Sequence, residues 1–226
     1  NCLSFIKTRK SCYQCELNKN RKIIIDSNIE NESESADVLF IGYHPTDGDA
    51  QSMLPMSSQN FALFRDMLDT MLIKYPHIKF ACINILSCCA NEEVNLSKPD
   101  SAISKCKEIA TVIKENFKPK IIMTFGDKAM KWFGIKGSVT KNNGTIFDNI
   151  IPTVSPDSLQ YNAKNKSLFE AAWVELFSTI DAITVKQKAE IGGNCEYNIP
   201  QSSIITRITP DLTILDIKEL DNQLVF

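Results

Sequence analysis

Residues 38–42, with the sequence VLFIG, decide how this chain folds. An uninterrupted apolar run that ends at a glycine is typical of a strand buried on both faces of a parallel sheet. Two similar runs follow, KFACINIL at residues 79–86 and KIIMTF at residues 120–125, and residues 145–154 form a fourth strand candidate. The sequence therefore predicts four short buried strands.

Helical patterns lie between and after these strands. Apolar residues recur every three or four positions over residues 59–74, from Ile103 to Phe117, and over residues 166–183. Strands that alternate with helices predict parallel strands joined by crossover helices. We expect a three-layer α/β/α sandwich around a central, mostly parallel, four-stranded sheet. Ligands of such sheets bind at the carboxyl ends of the strands, so the site walls should be the loops after Ile41, Leu86, Phe125 and Val154.

The pattern along the chain, its apolar runs and its net charge indicate the domain organisation and the location in the cell. The pattern changes after residue 183, so we predict one domain over residues 1–183 and a C-terminal appendage, or a lead into a further domain, over residues 184–226. The chain begins with Asn1, which favours a fragment or a processed form. No segment has the apolar run of a signal peptide or of a membrane span, so we expect a cytoplasmic protein, or host cytoplasm for a viral one. The net charge of −2 gives no general support to nucleic-acid binding.

Eight cysteines without a secretory signal argue against a disulfide framework. Cys12 and Cys15 form a CxxC motif, Cys88 follows a strand, and Cys106 lies on a helix. Four such thiolates can hold a [4Fe–4S] cluster or a tetrahedral zinc ion. Cys106 also lies on the apolar face of its helix, where a cysteine is an ordinary small core residue. Core positions are expected for the others, Cys2, Cys82, Cys89 and Cys195.

Taken together, these motifs resemble the iron–sulfur uracil-DNA glycosylases, often called family four. Each motif alone is weak, and the resemblance depends on their order and spacing from Cys12 to Trp173. The matching positions are Cys12, Cys15, Leu17 and Arg21; Gly42-Tyr43-His44-Pro45-Thr46; Pro55-Met56; Asn84 and Cys88; Cys106; Phe125-Gly126 and Ala129; and Ser155-Pro156-Asp157-Ser158-Leu159. The resemblance implies a [4Fe–4S] cluster on Cys12, Cys15, Cys88 and Cys106, with zinc as the alternative.

The same comparison indicates a degenerate active site. Tyr43 stands where the family has the glutamate that positions water, and Ser155 stands where a histidine stabilises the departing uracil. Met56 replaces a phenylalanine that stacks on the flipped base. The resemblance places Gly42, Met56, Asn84 and Ser155 in the base pocket. Asn84 could read the edge of uracil with one donor and one acceptor, or could cap local backbone at a strand end.

Substitute catalysts and DNA contacts complete the predicted site. The candidates for a catalytic group are Tyr43, His44 and Asp47, none of them a direct replacement for glutamate. The family's last motif leads into a loop that wedges into duplex DNA, which implies DNA contacts from Leu159, Gln160, Lys164 and Lys166. Leu159 also fits core packing, and the lysines also fit solvated helix faces.

Three functions compete at this stage. The first is a non-catalytic DNA-binding or scaffold domain in replication or repair, because similar domains occur fused to DNA polymerases in some phages. The second is an active glycosylase with altered catalytic residues. The third is a structural domain that binds only proteins. For the first function the expected partners are DNA and other replication or repair proteins, or a fused polymerase.

Overall fold

A computed structural model of the 226-residue chain describes residues 21–24, 35–90, 106, 108, 111–112 and 114–192. Four strands form its central sheet: β2 (Val38–Gly42), β3 (Phe80–Asn84), β5 (Ile121–Phe125) and β6 (Ile150–Thr153). They lie in the order β3-β2-β5-β6, and every neighbouring pair is parallel. The predicted four-stranded parallel sheet is therefore confirmed.

Helices cover both faces of the sheet. On one face, α2 (Ala62–Lys74) and α5 (Ala163–Gly192) pack on Val38, Phe40 and Met123. Phe40 stacks between Phe125 and Trp173, with ring centroids 6.1 and 5.5 Å away. On the other face, α3 (Gly126–Trp132) and Phe117 cover alternate residues of the same strands. The three-layer α/β/α sandwich is confirmed, and the strands are almost entirely apolar because both of their faces are buried.

Several elements differ from the sequence expectation. A two-stranded antiparallel ladder, which the strand pattern did not indicate, joins β1 (Arg21–Ile24) to β4 (Cys88–Ala90). The loop that follows β2 contains a short helix, α1 (Asp47–Ser52), which begins with a capping box between Thr46 and Asp49. A further short helix, α4 (Val139–Asn142), precedes β6.

The chain divides into a compact unit of Asn1–Ile183 and a second unit of Thr184–Phe226. The proposal that residues 184–226 lead into a further domain stays a prediction. Among the helices of the described residues, none has the length and apolar character needed to cross a membrane.

Candidate functional site

A cavity of about 390 Å³ opens at the carboxyl ends of the strands. It lies where the chain order switches, because β2 and β5 are neighbours while β3 and β6 continue the sheet outward on either side. This switch point is the usual ligand crevice of an open α/β sheet. The cavity is lined by Gly42, Tyr43, His44, Phe61, Asn84, Phe125, Gly126, Asp127, Lys128, Ser155, Asp157, Ser158 and Tyr161.

Gly42 and Asn84 form one wall, at the paired ends of β2 and β3. The backbone continues this pairing past the strands, since Ile85 N donates to Gly42 O at 3.0 Å and Leu86 N donates to Tyr43 O at 2.8 Å. A Cβ atom on residue 42 would overlap Asn84 Oδ1, so only glycine allows this approach. Asn84 is 3% exposed, and its Nδ2 has no hydrogen-bond partner within the described residues. The wall therefore holds a buried amide with an unused donor.

The loop after β2 brings Tyr43 and His44 to the cavity. The Lys128 ammonium lies 4.2 Å from the centroid of the Tyr43 ring, a distance that permits a cation–π interaction. His44 Nδ1 lies 3.0 Å from Pro45 O. A carbonyl only accepts, so Nδ1 carries the proton and neutral His44 has its free lone pair on Nε2. The residue after Gly42 is thus a phenol with a cation beside its ring.

The loop after β6 brings Ser155 and Asp157 to the opposite side of the cavity. Ser155 Oγ donates to Asp157 Oδ2 at 3.4 Å, while Asp157 Oδ1 is buried and has no hydrogen-bond partner in the described part of the chain. Burial raises the pKa of the Asp157 carboxyl group, and hydrogen bonds from Asn60 and Ser155 and the nearby His44 oppose that rise. Sequence reasoning placed Asp157 in the loop after the fourth strand but assigned it no role in the site.

Asp49, in helix α1, has a structural role. Asp49 is buried and accepts hydrogen bonds from the backbone of Thr46 at 2.8 Å, Ser57 at 2.7 Å and Ser58 at 2.9 Å. Its neighbour Asp47, predicted as a candidate catalyst, is exposed and is not among the residues that line the cavity.

Aromatic side chains close the inner end of the cavity. Phe61 and Phe125 line it, with ring centroids 6.3 Å apart and an edge-to-face arrangement. Met56, predicted to meet a flipped base, is instead buried in the core behind Gly42, with its Cε 3.2 Å from the position of a Cβ there. The aromatic side chains at the inner end of the cavity are therefore Phe61 and Phe125, which are themselves only 4% and 2% exposed and which the helical spacing and the strand pattern had marked only as core.

The mouth of the cavity carries the predicted DNA-binding segment. Leu159 is partly buried and packs against the core, whereas Gln160 is exposed. Tyr161 lines the cavity and is 82% exposed. Lys164 and Lys166 are exposed at the start of α5, and Lys166 lies 3.9 Å from Glu170. The exposed apolar side chain of this loop is thus Tyr161.

The cysteine set is only partly described. Cys88 and Cys106 are buried, whereas Cys12 and Cys15 lie outside the described residues. Within the described ranges, no group of three or more histidine, cysteine or acidic side chains could hold a metal ion. Cys82, within β3, is buried, and desolvation raises the pKa of its thiol, as suits the core residue predicted there.

Comparison with models of known protein families identifies the family. A model of the uracil DNA glycosylase superfamily matches residues 30–177. The chain belongs to that superfamily. A solution NMR structure of a candidate uracil DNA glycosylase from Methanosarcina acetivorans matches with 14% identity and a TM-score of 0.39, over 67% of this chain and 96% of that one. No curated protein matches the sequence.

Proposed function

We propose that this chain binds DNA and holds one extrahelical base in its cavity, without hydrolysing the base–sugar bond at rates typical of the superfamily. The observation that carries the proposal is the combination of a preserved cavity with altered chemistry. Asn84 keeps a buried amide at the cavity wall, while Tyr43 and Ser155 replace the glutamate and histidine expected from the family-four resemblance. Base flipping needs a shaped and polar pocket, whereas hydrolysis needs correctly charged groups in addition.

Asn84 supports the base-holding part of the proposal. A buried donor without a partner costs about 1–3 kcal/mol, so such a group is commonly satisfied by a ligand or water. A carboxamide can donate from Nδ2 and accept at Oδ1, which matches the carbonyl and adjacent N–H on the edge of uracil or guanine. The close approach of Gly42 holds the amide in place. The wall therefore contains the donor and the acceptor that such a base edge requires.

The charges around the cavity argue against efficient uracil excision. Tyr43 is a poor base at neutral pH, and the cation beside it is Lys128. Ser155 directs its hydroxyl hydrogen toward Asp157, so it is not available to a departing uracil anion. A carboxylate at that place would also repel an anion. Removing one transition-state donor commonly lowers kcat by about 10²–10³, and here both charged groups are missing.

The proposed DNA-binding face surrounds the cavity mouth. Lys128, Lys164 and Lys166 are exposed there, and Tyr161 offers an aromatic face for stacking. By contrast, Lys114 and Lys118 lie beside Pro119 at the start of β5, the opposite edge of the sheet. We therefore assign phosphate binding to the first set, which is small enough to predict moderate and salt-dependent affinity.

We extend the proposal to a [4Fe–4S] cluster on Cys12, Cys15, Cys88 and Cys106. Its support is the ordered motif match and the burial of Cys88 and Cys106, since buried thiolates require a metal or a proton. Iron and acid-labile sulfide should be present in anaerobically purified protein. Stoichiometric zinc alone would contradict the cluster, and Cys89→Ala should retain the iron that Cys88→Ala loses.

The cellular setting that we propose is a cytoplasmic replication or repair assembly, in which this domain is joined to a polymerase or another DNA-processing protein. Its support is the resemblance to glycosylase-like domains fused to phage polymerases. Pull-down of the full natural chain with primed DNA, with and without nuclease, would separate a protein partner from a shared DNA tether.

Fluorescence anisotropy tests the central proposal. Wild-type protein should bind single-stranded and double-stranded DNA at low salt. Replacing Lys164 and Lys166 together with alanine should lower the affinity and reduce the salt slope by about one unit per lost phosphate contact. A matched control is Lys114→Ala combined with Lys118→Ala, which changes the same charge at the opposite edge. No binding to any DNA at low salt would leave a purely protein-binding domain as the better explanation.

A second candidate, an active glycosylase with altered catalysts, is favoured by one observation. His44 and Asp157 both line the cavity, so a base and a carboxylate remain within it. Incubation with uracil-containing DNA followed by alkali detects excision directly. Strand cleavage at the rate of an active superfamily member, lost in His44→Ala, would replace the non-catalytic proposal with this one.

A further inference from the structure

The cavity combines aromatic walls with uncompensated negative charge. Four of its lining residues are aromatic: Tyr43, Phe61, Phe125 and Tyr161. Its acids are Asp127 and Asp157, against the single ammonium of Lys128, which lies over the Tyr43 ring. Asp127 is exposed and accepts a hydrogen bond from Val139 N at 2.7 Å. Asp157 differs from Asp127 in its burial: its Oδ1 is buried and has no hydrogen-bond partner within the described residues, although Asn60 and Ser155 donate to its carboxylate.

Asn84 and Asp157 lie on opposite sides of the cavity. Asn84 ends β3 and Asp157 follows β6, the two edge strands of the four-stranded order. Three strand spacings separate these edges, which amounts to about 14 Å between the backbones. One flat heterocycle whose edge is read by Asn84 would thus present its remaining rim and its sugar toward Asp157.

This arrangement suits a cationic heterocycle. Aromatic faces attract a cation through their quadrupoles, and a desolvated carboxylate attracts it directly. N7-alkylation of guanine places a positive charge on the purine and leaves the O6 and N1–H edge unchanged. That edge has the same acceptor and donor order as uracil O4 and N3–H, so Asn84 can read either base.

We propose that the cavity selects positively charged, N-alkylated purines and that Asp157 determines this specificity. This inference rests on the proposed capture of an extrahelical base. Asn84 reads the unmodified edge, Phe61 and Phe125 contact the ring faces, and Asp157 balances the added charge. Neutral uracil meets the same Asn84 but gains nothing from the carboxylate. Lys128 lies at the mouth of the cavity, where a phosphate of the same nucleotide would neutralise its positive charge.

The environment of Asp157 agrees with this assignment. Burial raises the pKa of its carboxyl group, and the charged or titratable neighbours that act on it are His44 and Asp49. A carboxylate that is costly to ionise in the empty cavity gains most from a cation that enters it. Neither His44 nor Lys128 occupies Oδ1 with a hydrogen bond.

Competitive anisotropy with matched oligonucleotides tests the inference. The duplexes carry one 7-methylguanine, one guanine or one uracil at the same position, each on a 2′-fluoro sugar so that the base is retained. Wild-type protein should bind the 7-methylguanine duplex about tenfold more tightly than the guanine duplex, a difference of about 1.4 kcal/mol. Asp157→Asn should lower that preference to about twofold or less, because it keeps the side-chain shape and removes the charge.

A further variant keeps the outcome interpretable. Asp47→Asn changes an acid that does not line the cavity and should retain the full preference. Equal affinity of the wild type for the 7-methylguanine and guanine duplexes would overturn the inference, as would a full preference in Asp157→Asn. If all three duplexes bind equally well, DNA binding stands and only the specificity fails; if none binds, the proposed function itself fails.

Discussion

Replacing Asp49 with alanine should destabilise the chain strongly, although Asp49 does not line the cavity. Its Oδ2 accepts from Thr46 N, and its Oδ1 accepts from Ser57 N and Ser58 N, at 2.7–2.9 Å. A hydrogen bond to a charged group contributes about 1.5–3 kcal/mol, and we use the lower value because two of the donors, Thr46 and Ser57, are only partly buried. Three such bonds give a loss of about 4–5 kcal/mol in the free energy of unfolding. For a chain of this size the midpoint of thermal unfolding should fall by roughly 8–20 °C.

Two variants make this prediction specific to the hydrogen bonds. Asp49→Asn keeps one acceptor but turns an N–H group toward a backbone N–H, so we expect a loss of about 2 kcal/mol. Asp47→Asn changes an exposed acid in the first turn of the same helix, where a carboxylate contributes about 0.3–1 kcal/mol. Urea unfolding followed by circular dichroism measures all three. An Asp49→Ala protein within about 1 kcal/mol of the wild type would refute the reasoning, since the three amides would then have found other partners.

Three further changes probe the site. Gly42→Ala should abolish capture of an extrahelical base, because the new Cβ overlaps Asn84 Oδ1, and it should leave the affinity for plain duplex DNA unchanged. Fluorescence of 2-aminopurine in the DNA measures the capture. Unchanged capture would show that Asn84 does not read the base. Tyr161→Ala should weaken single-stranded DNA binding by about tenfold and Tyr161→Phe should not, since one stacked base contributes about 1–3 kcal/mol. Asp157→Asn should raise the free energy of unfolding at neutral pH. The raised pKa of Asp157 means that the native state holds its proton more tightly than the unfolded chain, so native stability falls as the pH rises through that range. This increase in the free energy of unfolding should vanish at about pH 3, where the wild-type carboxyl group is also neutral. An equal increase at pH 3 and at neutral pH would contradict the assigned cause.

The sheet could be predicted because each strand is buried on both faces. Runs such as VLFIG at residues 38–42 and IIMTF at residues 121–125 contain almost no polar residue, and their burial is complete or nearly so. Helix α1 was not predictable by the same means. Its six residues, DGDAQS, show no apolar period, and it forms because Thr46 and Asp49 cap its first turn. Local hydrogen bonding of this kind leaves no periodic signal.

The site was predictable where it follows a strand end and not where it depends on strand order. Gly42, Tyr43, Asn84 and Ser155 each end or follow a strand, and all four line the cavity as the resemblance implied. Phe61 and Tyr161 reach the same cavity from a 3-10 turn and a loop that no strand pattern indicates. Which edge strands flank β2 and β5 is a property of the whole sheet, and no single segment of sequence contains it.

The charged groups of the cavity differ from those that the family resemblance implies. That resemblance implies a carboxylate after β2 and a hydrogen-bond donor after β6. This chain has the neutral Tyr43 after β2, with Lys128 of α3 against its ring, and it has Asp157 beside Ser155 after β6. The two loops are about 10 Å apart, two strand spacings, so they act on different parts of one nucleotide. A site with its negative charge on the side of the departing base disfavours a base that leaves as an anion and favours one that arrives as a cation. In our proposals, Tyr43 and Ser155 account for the loss of uracil excision and Asp157 accounts for the preference for an alkylated purine. Asp157→Asn separates the two effects because it removes the second without restoring the first.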